Sequence, residues 1–252
     1  MTIHHFDSDG VDIAYIDEGE GSPVLLIHGF ASNMRANWID TGWVDLLKKA
    51  GHRVIAIDNR GHGESEKLYD VADYGAPVMA EDARRLLDHL GIGKAAVMGY
   101  SMGARITAFL SLNHPERVSR AVFGGLGAGM VRGVGAPEPI AEALEAPSLA
   151  DVTDPGGRMF RRFAEQTGSD LRALAACMRS SRVKITPEQL AGLPMPVLVA
   201  VGTDDGIAGN PDELAAMIPN GRAFHIEGRD HMKAVGDRTH KAAVVAFLAE
   251  GE

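Results

Sequence analysis

Six short runs of aliphatic and β-branched residues recur along the chain: V-L-L-I-H at 24–28, R-V-I-A-I-D at 53–58, A-A-V-M-G at 95–99, R-A-V-F-G at 120–124, P-V-L-V-A-V at 196–201 and R-A-F-H-I at 222–226. Runs that stay apolar without alternating mark strands buried on both faces. Between them lie amphipathic stretches such as 79–90, in which Ala83, Leu86, Leu87 and Leu90 share one helical face. The order β, α, β, α predicts an α/β fold with a mostly parallel central sheet flanked by helices on both faces. Two earlier runs, Ile3 to Phe6 and Val11 to Ile16, are separated by S-D-G and predict an N-terminal antiparallel hairpin.

The strand pattern stops between 130 and 193. There P-E-P-I-A-E-A-L-E, R-M-F-R-R-F-A-E-Q and D-L-R-A-L-A-A-C-M-R read as helices punctuated by Pro137, Pro139, Pro147 and Pro155. Thr186-Pro187-Glu188-Gln189 has the form of a capping box with proline at the first helical position. The chain thus divides into a core of residues 1–129 and 194–252 and a helical insertion of residues 130–193.

Composition narrows the partners. The 252 residues are 45% hydrophobic and 23% charged, ordinary globular usage, and the net charge of −9 repels nucleic acid and anionic lipid surfaces. Cys177 is the single cysteine, which excludes an intrachain disulfide and fits a reducing compartment. The opening M-T-I-H-H-F-D-S-D-G lacks the pattern of a secretion signal, and no run approaches the roughly 18 apolar residues of a membrane span. A soluble, cytoplasmic chain with a small-molecule partner, and with neither nucleic acid nor membrane, is expected. The histidines include no paired arrangement such as H-E-x-x-H, so neither a metal nor a cofactor is expected.

Candidate chemistry centres on residues 95–105, A-A-V-M-G-Y-S-M-G-A-R. G-x-S-x-G alone also describes a turn of small residues. Here an apolar strand precedes it, and Met102, Ile106, Phe109 and Leu110 give the following helix an apolar face, so Ser101 sits on a sharp strand-to-helix corner that lifts its hydroxyl clear of the sheet. A serine alcohol attacks poorly without a base and an acid to orient that base. Downstream, V-A-V-G-T-D-D-G places Asp204 and Asp205 after one strand, and H-I-E-G-R-D-H places His231 after the next. All three positions fall at the carboxyl ends of strands, where open α/β sheets gather their sites.

The order Ser, Asp, His on this framework resembles the α/β-hydrolase superfamily over nearly the whole chain. I-H-G-F-A at 27–31 is similar to its oxyanion loop, and D-N-R-G-H-G-E-S at 58–65 to a turn of its esterase-like members. The resemblance implies Ser101 as nucleophile, His231 as general base and then acid, and the Phe30 and Met102 amides as oxyanion donors. Its spacing favours Asp205 over Asp204 as the acid, the other being a loop carboxylate or helix cap. It also implies that 130–193 is a cap over the site, with Met130, Val131, Met159, Phe160, Phe163, Leu174 and Met178 as candidate cavity residues. His28 and His62 read as braces of their loops. Arg158, Arg161, Arg162, Arg172, Arg179 and Arg182 crowd the same segment; they read as a solvated face, with recognition of a substrate carboxylate as the alternative. The implied activity is serine carboxylic-ester hydrolysis through an acyl-enzyme on uncharged, fairly apolar esters. A cofactor-free perhydrolase or haloperoxidase, a carbon–carbon bond hydrolase and a low-turnover small-molecule receptor share these motifs. Serine at the nucleophile position removes the alkyl-enzyme chemistry of dehalogenases and epoxide hydrolases.

Overall fold

The computed structural model describes residues 1–180 and 183–250. Strands β1 (His4–Asp7), β2 (Asp12–Glu18), β3 (Ser22–Ile27), β4 (His52–Ile57), β5 (Ala95–Tyr100), β6 (Val118–Gly124), β7 (Val197–Gly202) and β8 (Gly221–Ile226) form one sheet in the order β1-β2-β4-β3-β5-β6-β7-β8. β1 and β2 pair antiparallel, as do β2 and β4; every later pairing is parallel. The S-D-G turn works because Asp9 and Gly10 both take positive φ, 59° and 84°, the twist a two-residue hairpin turn needs.

Helices α1 (Trp43–Lys49), α2 (Ala76–His89), α3 (Met102–Asn113), α4 (Gly129–Arg132), α5 (Glu138–Glu145), α6 (Pro155–Gln166), α7 (Leu171–Arg179), α8 (Pro187–Ala191), α9 (Pro211–Ala215) and α10 (Arg238–Ala249) complete the fold. The period of two along the central strands splits the apolar side chains between two cores. Leu25, Ile27, Ile55, Ile57 and Val97 join α2 and α3, while Val24, Leu26, Val54, Ala56 and Met98 join α1 and α10. Each such fully buried aliphatic side chain contributes about 1.5–3 kcal/mol, so the central strands are the most strongly specified part of the molecule.

Both strands expected to end on a polar residue stop one position earlier, at Ile27 and Ile57. Beyond those ends the His28 and Asp58 side chains bond loop amides, while the Asp58 N–H still donates to the Ala14 carbonyl of β2 at 2.9 Å. The helical insertion follows its local signals. Asp154 accepts from the Gly157 amide, Asp170 from the Arg172 and Ala173 amides, and Thr186 and Gln189 complete the capping box. Helices α5, α6 and α7 bury Ala141, Leu144, Ala164, Leu174, Ala175 and Met178 together, against Ala31 and Phe30 of the loop after β3. Among the described residues no helix is long and apolar enough to cross a membrane.

Candidate active site

Ser101 occupies the corner between β5 and α3 with φ 55° and ψ −114°, a conformation costly for a non-glycine residue, and its amide is held by the Gly124 carbonyl at 2.8 Å. The two flanking glycines are demanded by close approach. A Cβ on Gly99 would overlap the Gly103 carbonyl, and one on Gly103 would overlap the Ile27 carbonyl.

Three residues far apart in sequence meet at this corner. His231 Nε2 lies 3.0 Å from the Ser101 hydroxyl oxygen, and His231 Nδ1 lies 2.7 Å from Asp205 Oδ2. The other Asp205 oxygen accepts from the Ile207 and Ala208 amides at 2.9 and 3.0 Å. The carboxyl group is wholly enclosed, with 0% of its side chain exposed, yet each oxygen is hydrogen-bonded, and its contact with Nδ1 orients the imidazole toward Ser101. Asp204 stands exposed on the same loop and does not reach the histidine. Tyr100, which the motifs did not single out, donates its hydroxyl to the His231 carbonyl at 2.6 Å and lies beside the imidazole with ring centroids 5.6 Å apart. The available signal was a tyrosine at the end of a fully buried strand, since a buried phenol needs an acceptor.

Phe30, on the loop after β3, and Met102, the first residue of α3, line the larger of two chambers together with Ser101. Neither backbone amide donates to an acceptor among the described residues. The loop is braced from below. Gly29 donates to Asn37 Oδ1 at 3.2 Å, His28 Nδ1 donates to the Gly29 carbonyl at 2.8 Å, and His28 Nε2 accepts from the Asn59 amide at 3.0 Å. Acting as donor on one side and acceptor on the other, the buried imidazole is neutral, and burial pushes its pKa down to about 4. His62 donates to the Arg60 carbonyl at 3.0 Å, and burial pushes it down to about 3. The rest of the 58–65 turn is structural too. Asp58 accepts from the Met34 and Glu64 amides at 2.6 and 2.8 Å, with burial raising it to about 6, and Arg60 forms a two-pronged buried ion pair with Asp82 at 2.7 Å.

Ser101 opens onto two chambers that share Phe30 and Phe160. The larger, about 640 Å³, is walled by Ala76 and Met79 of α2, Met102, Leu126, Ile140, Met159, Met178 and Ile207 among others. The smaller, about 160 Å³, is walled by Asn37, Thr41, Tyr100, Phe163, His231 and Val235 among others. Of the candidate cavity residues, Met159, Phe160 and Met178 line the larger chamber, and Phe160 and Phe163 the smaller. Met130, Val131 and Leu174 line neither. Met130 turns inward and is fully buried in the core, Val131 packs beside it, and Leu174 holds α5, α6 and α7 together. The α2 residues escaped notice because an apolar first turn of helix reads like any core position.

Three arginines of the insertion serve its own architecture. Arg161 donates to the Ala143, Leu144 and Ala146 carbonyls at the end of α5, Arg158 to the Leu149 and Val152 carbonyls, and Arg179 pairs with Glu138 and Glu145. Arg172 lies over the Tyr69 ring at 4.9 Å, Arg162 is exposed, and Arg182 falls outside the described residues. None of the described five lines either chamber. The cations that do line the larger one are Arg105, bound to the Gly129 and Met130 carbonyls, Arg132, paired with Glu213 at 2.9 Å, and Lys184 at an exposed position. Among the described residues no group of three or more histidine, cysteine, aspartate or glutamate side chains converges as metal ligands would.

A serine, a histidine and a carboxylate in hydrogen-bonded series at the carboxyl ends of parallel strands define a hydrolase class built on this sheet. The chain belongs to the alpha/beta hydrolase fold family, whose model matches residues 22–156. The 2-hydroxymuconate semialdehyde hydrolase of Pseudomonas putida is 32% identical over 85% of this chain and 72% of its own length. Among solved structures, a hydrolase from Pseudomonas aeruginosa PA01 superposes with a TM-score of 0.82 at 23% identity, covering 98% of both chains. The esterase RhEst1 from Rhodococcus sp. ECU1013 does so with a TM-score of 0.78 at 25% identity, covering 99% of both. A bifunctional epoxide hydrolase 2 of Sus scrofa and a putative non-heme chloroperoxidase of Synechocystis also match, but the chain spans only 20% and 43% of their lengths.

Proposed function

We propose that this chain is a serine carboxylic-ester hydrolase acting on uncharged, fairly apolar esters through an acyl-enzyme. The observation that carries the reading is the series Ser101, His231, Asp205, with contacts of 3.0 and 2.7 Å, opening onto a largely apolar chamber of about 640 Å³. In this reading Ser101 Oγ attacks the acyl carbon and passes its proton to His231 Nε2, while Asp205 stabilises the imidazolium. The Phe30 and Met102 amides take the oxyanion of the tetrahedral intermediate. The alcohol leaves with the proton from His231, and water repeats the cycle to release the acid. Residues 130–193 act as the cap over the core of 1–129 and 194–252, and the single cysteine supports a cytoplasmic setting.

Initial rates across p-nitrophenyl esters from acetyl to palmitoyl test this, run beside folded Ser101→Ala and His231→Ala proteins. A chain-length preference abolished by both changes is the expected result. Hydrolysis that survives Ser101→Ala would sink the reading. With Arg158, Arg161, Arg172 and Arg179 engaged by carbonyls, carboxylates or an aromatic ring and lining neither chamber, half-esters of diacids should be turned over no faster than matched monoacid esters; a strong half-ester preference would reverse that expectation.

A second reading, carbon–carbon bond hydrolysis of a vinylogous diketone, is favoured by the semialdehyde hydrolase of Pseudomonas putida, which aligns with 85% of the chain. Inert esters together with turnover of such a diketone would select it.

A further inference from the structure

The ester reading leaves open which half of an ester each chamber takes. His231 lines the smaller chamber and not the larger, whereas Met102 lines the larger and not the smaller. When the bond between acyl carbon and alcohol oxygen breaks, that oxygen takes the proton from His231 Nε2, so the alcohol half lies on the His231 side. The acyl chain then runs into the larger chamber, on the Met102 side.

The two spaces differ about fourfold, roughly 160 against 640 Å³. An apolar cavity of about 150 Å³ in a protein interior holds one benzene molecule. The smaller chamber therefore suits a ring or alkyl group of about six carbons. A longer group must pass out beside Met232, a wall residue that is 37% exposed. The larger chamber has room for a chain several times that size.

What separates the two is aromatic. Phe30, Phe160 and Ser101 are the residues common to both walls. The two rings meet edge to face with centroids 5.8 Å apart, and Phe30 is backed in turn by the His62 ring at 5.9 Å. Phe30 also packs against the apolar cluster of the insertion, but Phe160, partly buried on α6, joins none of the apolar clusters formed by the described residues. Apolar area of that size, left outside every core, is fully removed from water only when something fills the chambers beside it.

We infer that Phe160, set edge to face on Phe30, is the partition that makes the site selective for esters joining a medium or long acyl chain to a small alcohol. This rests on the ester-hydrolase reading. Phe160 determines specificity by touching both halves of the substrate and takes no part in proton transfer.

Two isomers test it. Butyl octanoate and octyl butanoate hold the same atoms and the same ester group, with opposite halves long, and the released acid is titrated at fixed pH. The unaltered chain should prefer butyl octanoate in kcat/KM by about tenfold or more, because several methylenes of an octyl group would find no apolar wall in the smaller chamber. Phe160→Ala, which joins the chambers, should bring the ratio to within about threefold of one, whereas Phe160→Tyr, which keeps the ring, should hold it. Both readings are ratios within one protein, so general damage to the site cancels. If Phe160→Ala does not fold, Phe160→Val opens the same gap. Equal rates, or a preference for octyl butanoate, in the unaltered chain overturn the assignment of the chambers. A ratio unchanged in folded Phe160→Ala or Phe160→Val overturns the partition. Turnover of p-nitrophenyl esters but of neither isomer overturns this inference alone. If the folded, unaltered chain hydrolyses no ester at all, the ester reading fails and the inference falls with it.

Discussion

Ser101 holds its hydroxyl at φ 55°, and Ala31, on the oxyanion loop, is also left-handed at φ 57°. Each such backbone costs on the order of 1 kcal/mol or more and persists only because packing around it leaves no alternative. Among the described residues, two of the three non-glycine positions with positive φ belong to the candidate active site, and the third lies in the hairpin turn. At this scale the proposed roles separate by rate. Ser101→Ala or His231→Ala should lower kcat by about 10⁶, and Asp205→Asn by about 10⁴, whereas Asp204→Asn should leave it unchanged. Steady-state kinetics on one p-nitrophenyl ester would check all four, and a large loss in Asp204→Asn would contradict the assignment. Sequence spacing already favoured Asp205. What spacing could not supply was the pair of amides at Ile207 and Ala208 that satisfy the second oxygen of this fully enclosed side chain.

Among the elements, the nucleophile corner is the most demanding. Gly99 and Gly103 are where β5, α3 and the end of β3 touch backbone to backbone. Gly99→Ala should therefore destabilise the chain by about 3 kcal/mol, the upper part of the usual overpacking range, read as a lower urea midpoint with unchanged slope. In contrast, Thr186→Ala should cost only about 1 kcal/mol, because the capping box it removes closes a short, largely exposed helix. These elements were legible because their causes are local: unbroken apolar runs for strands buried on both faces, the Thr186 capping box for a helix start, and S-D-G for the hairpin. The strands end one residue before His28 and Asp58, whose side chains bond residues of other loops, Asn59 in one case and Met34 and Glu64 in the other, contacts that no local pattern shows.

Across the whole molecule, burial of histidines couples folding to pH. His28, His62 and His240 are pushed from 6.5 to about 4, 3 and 4 by desolvation, so between pH 6.5 and 4 the unfolded chain binds protons that the folded one does not. Asp58 works in the opposite sense. Raised from 3.8 to about 6, it binds a proton in the folded state first and so favours folding on acidification over that span. Three histidines outweigh one carboxylate, so unfolding near pH 5 should take up about two protons, and stability should fall steadily as pH drops from 6.5 to 4. Urea midpoints across that range check the sign; a rising midpoint would contradict it. The chambers are a property of the whole molecule too. Ala76 lies on the wall of the larger one, so Ala76→Trp should shift the preferred acyl chain to shorter lengths while sparing the acetyl ester.

The alternation of strands and helices, the hairpin, the helical insertion and the serine corner followed from the sequence, because each rests on contacts between residues close together in the chain. Distances and chambers did not. The meeting of Ser101 with His231, the choice between two adjacent aspartates, the inward turn of Met130 and the placing of α2 on the cavity wall depend on how separate elements stack across the sheet. Those choices come from packing among residues separated by tens to more than a hundred positions, and no local pattern carries that information.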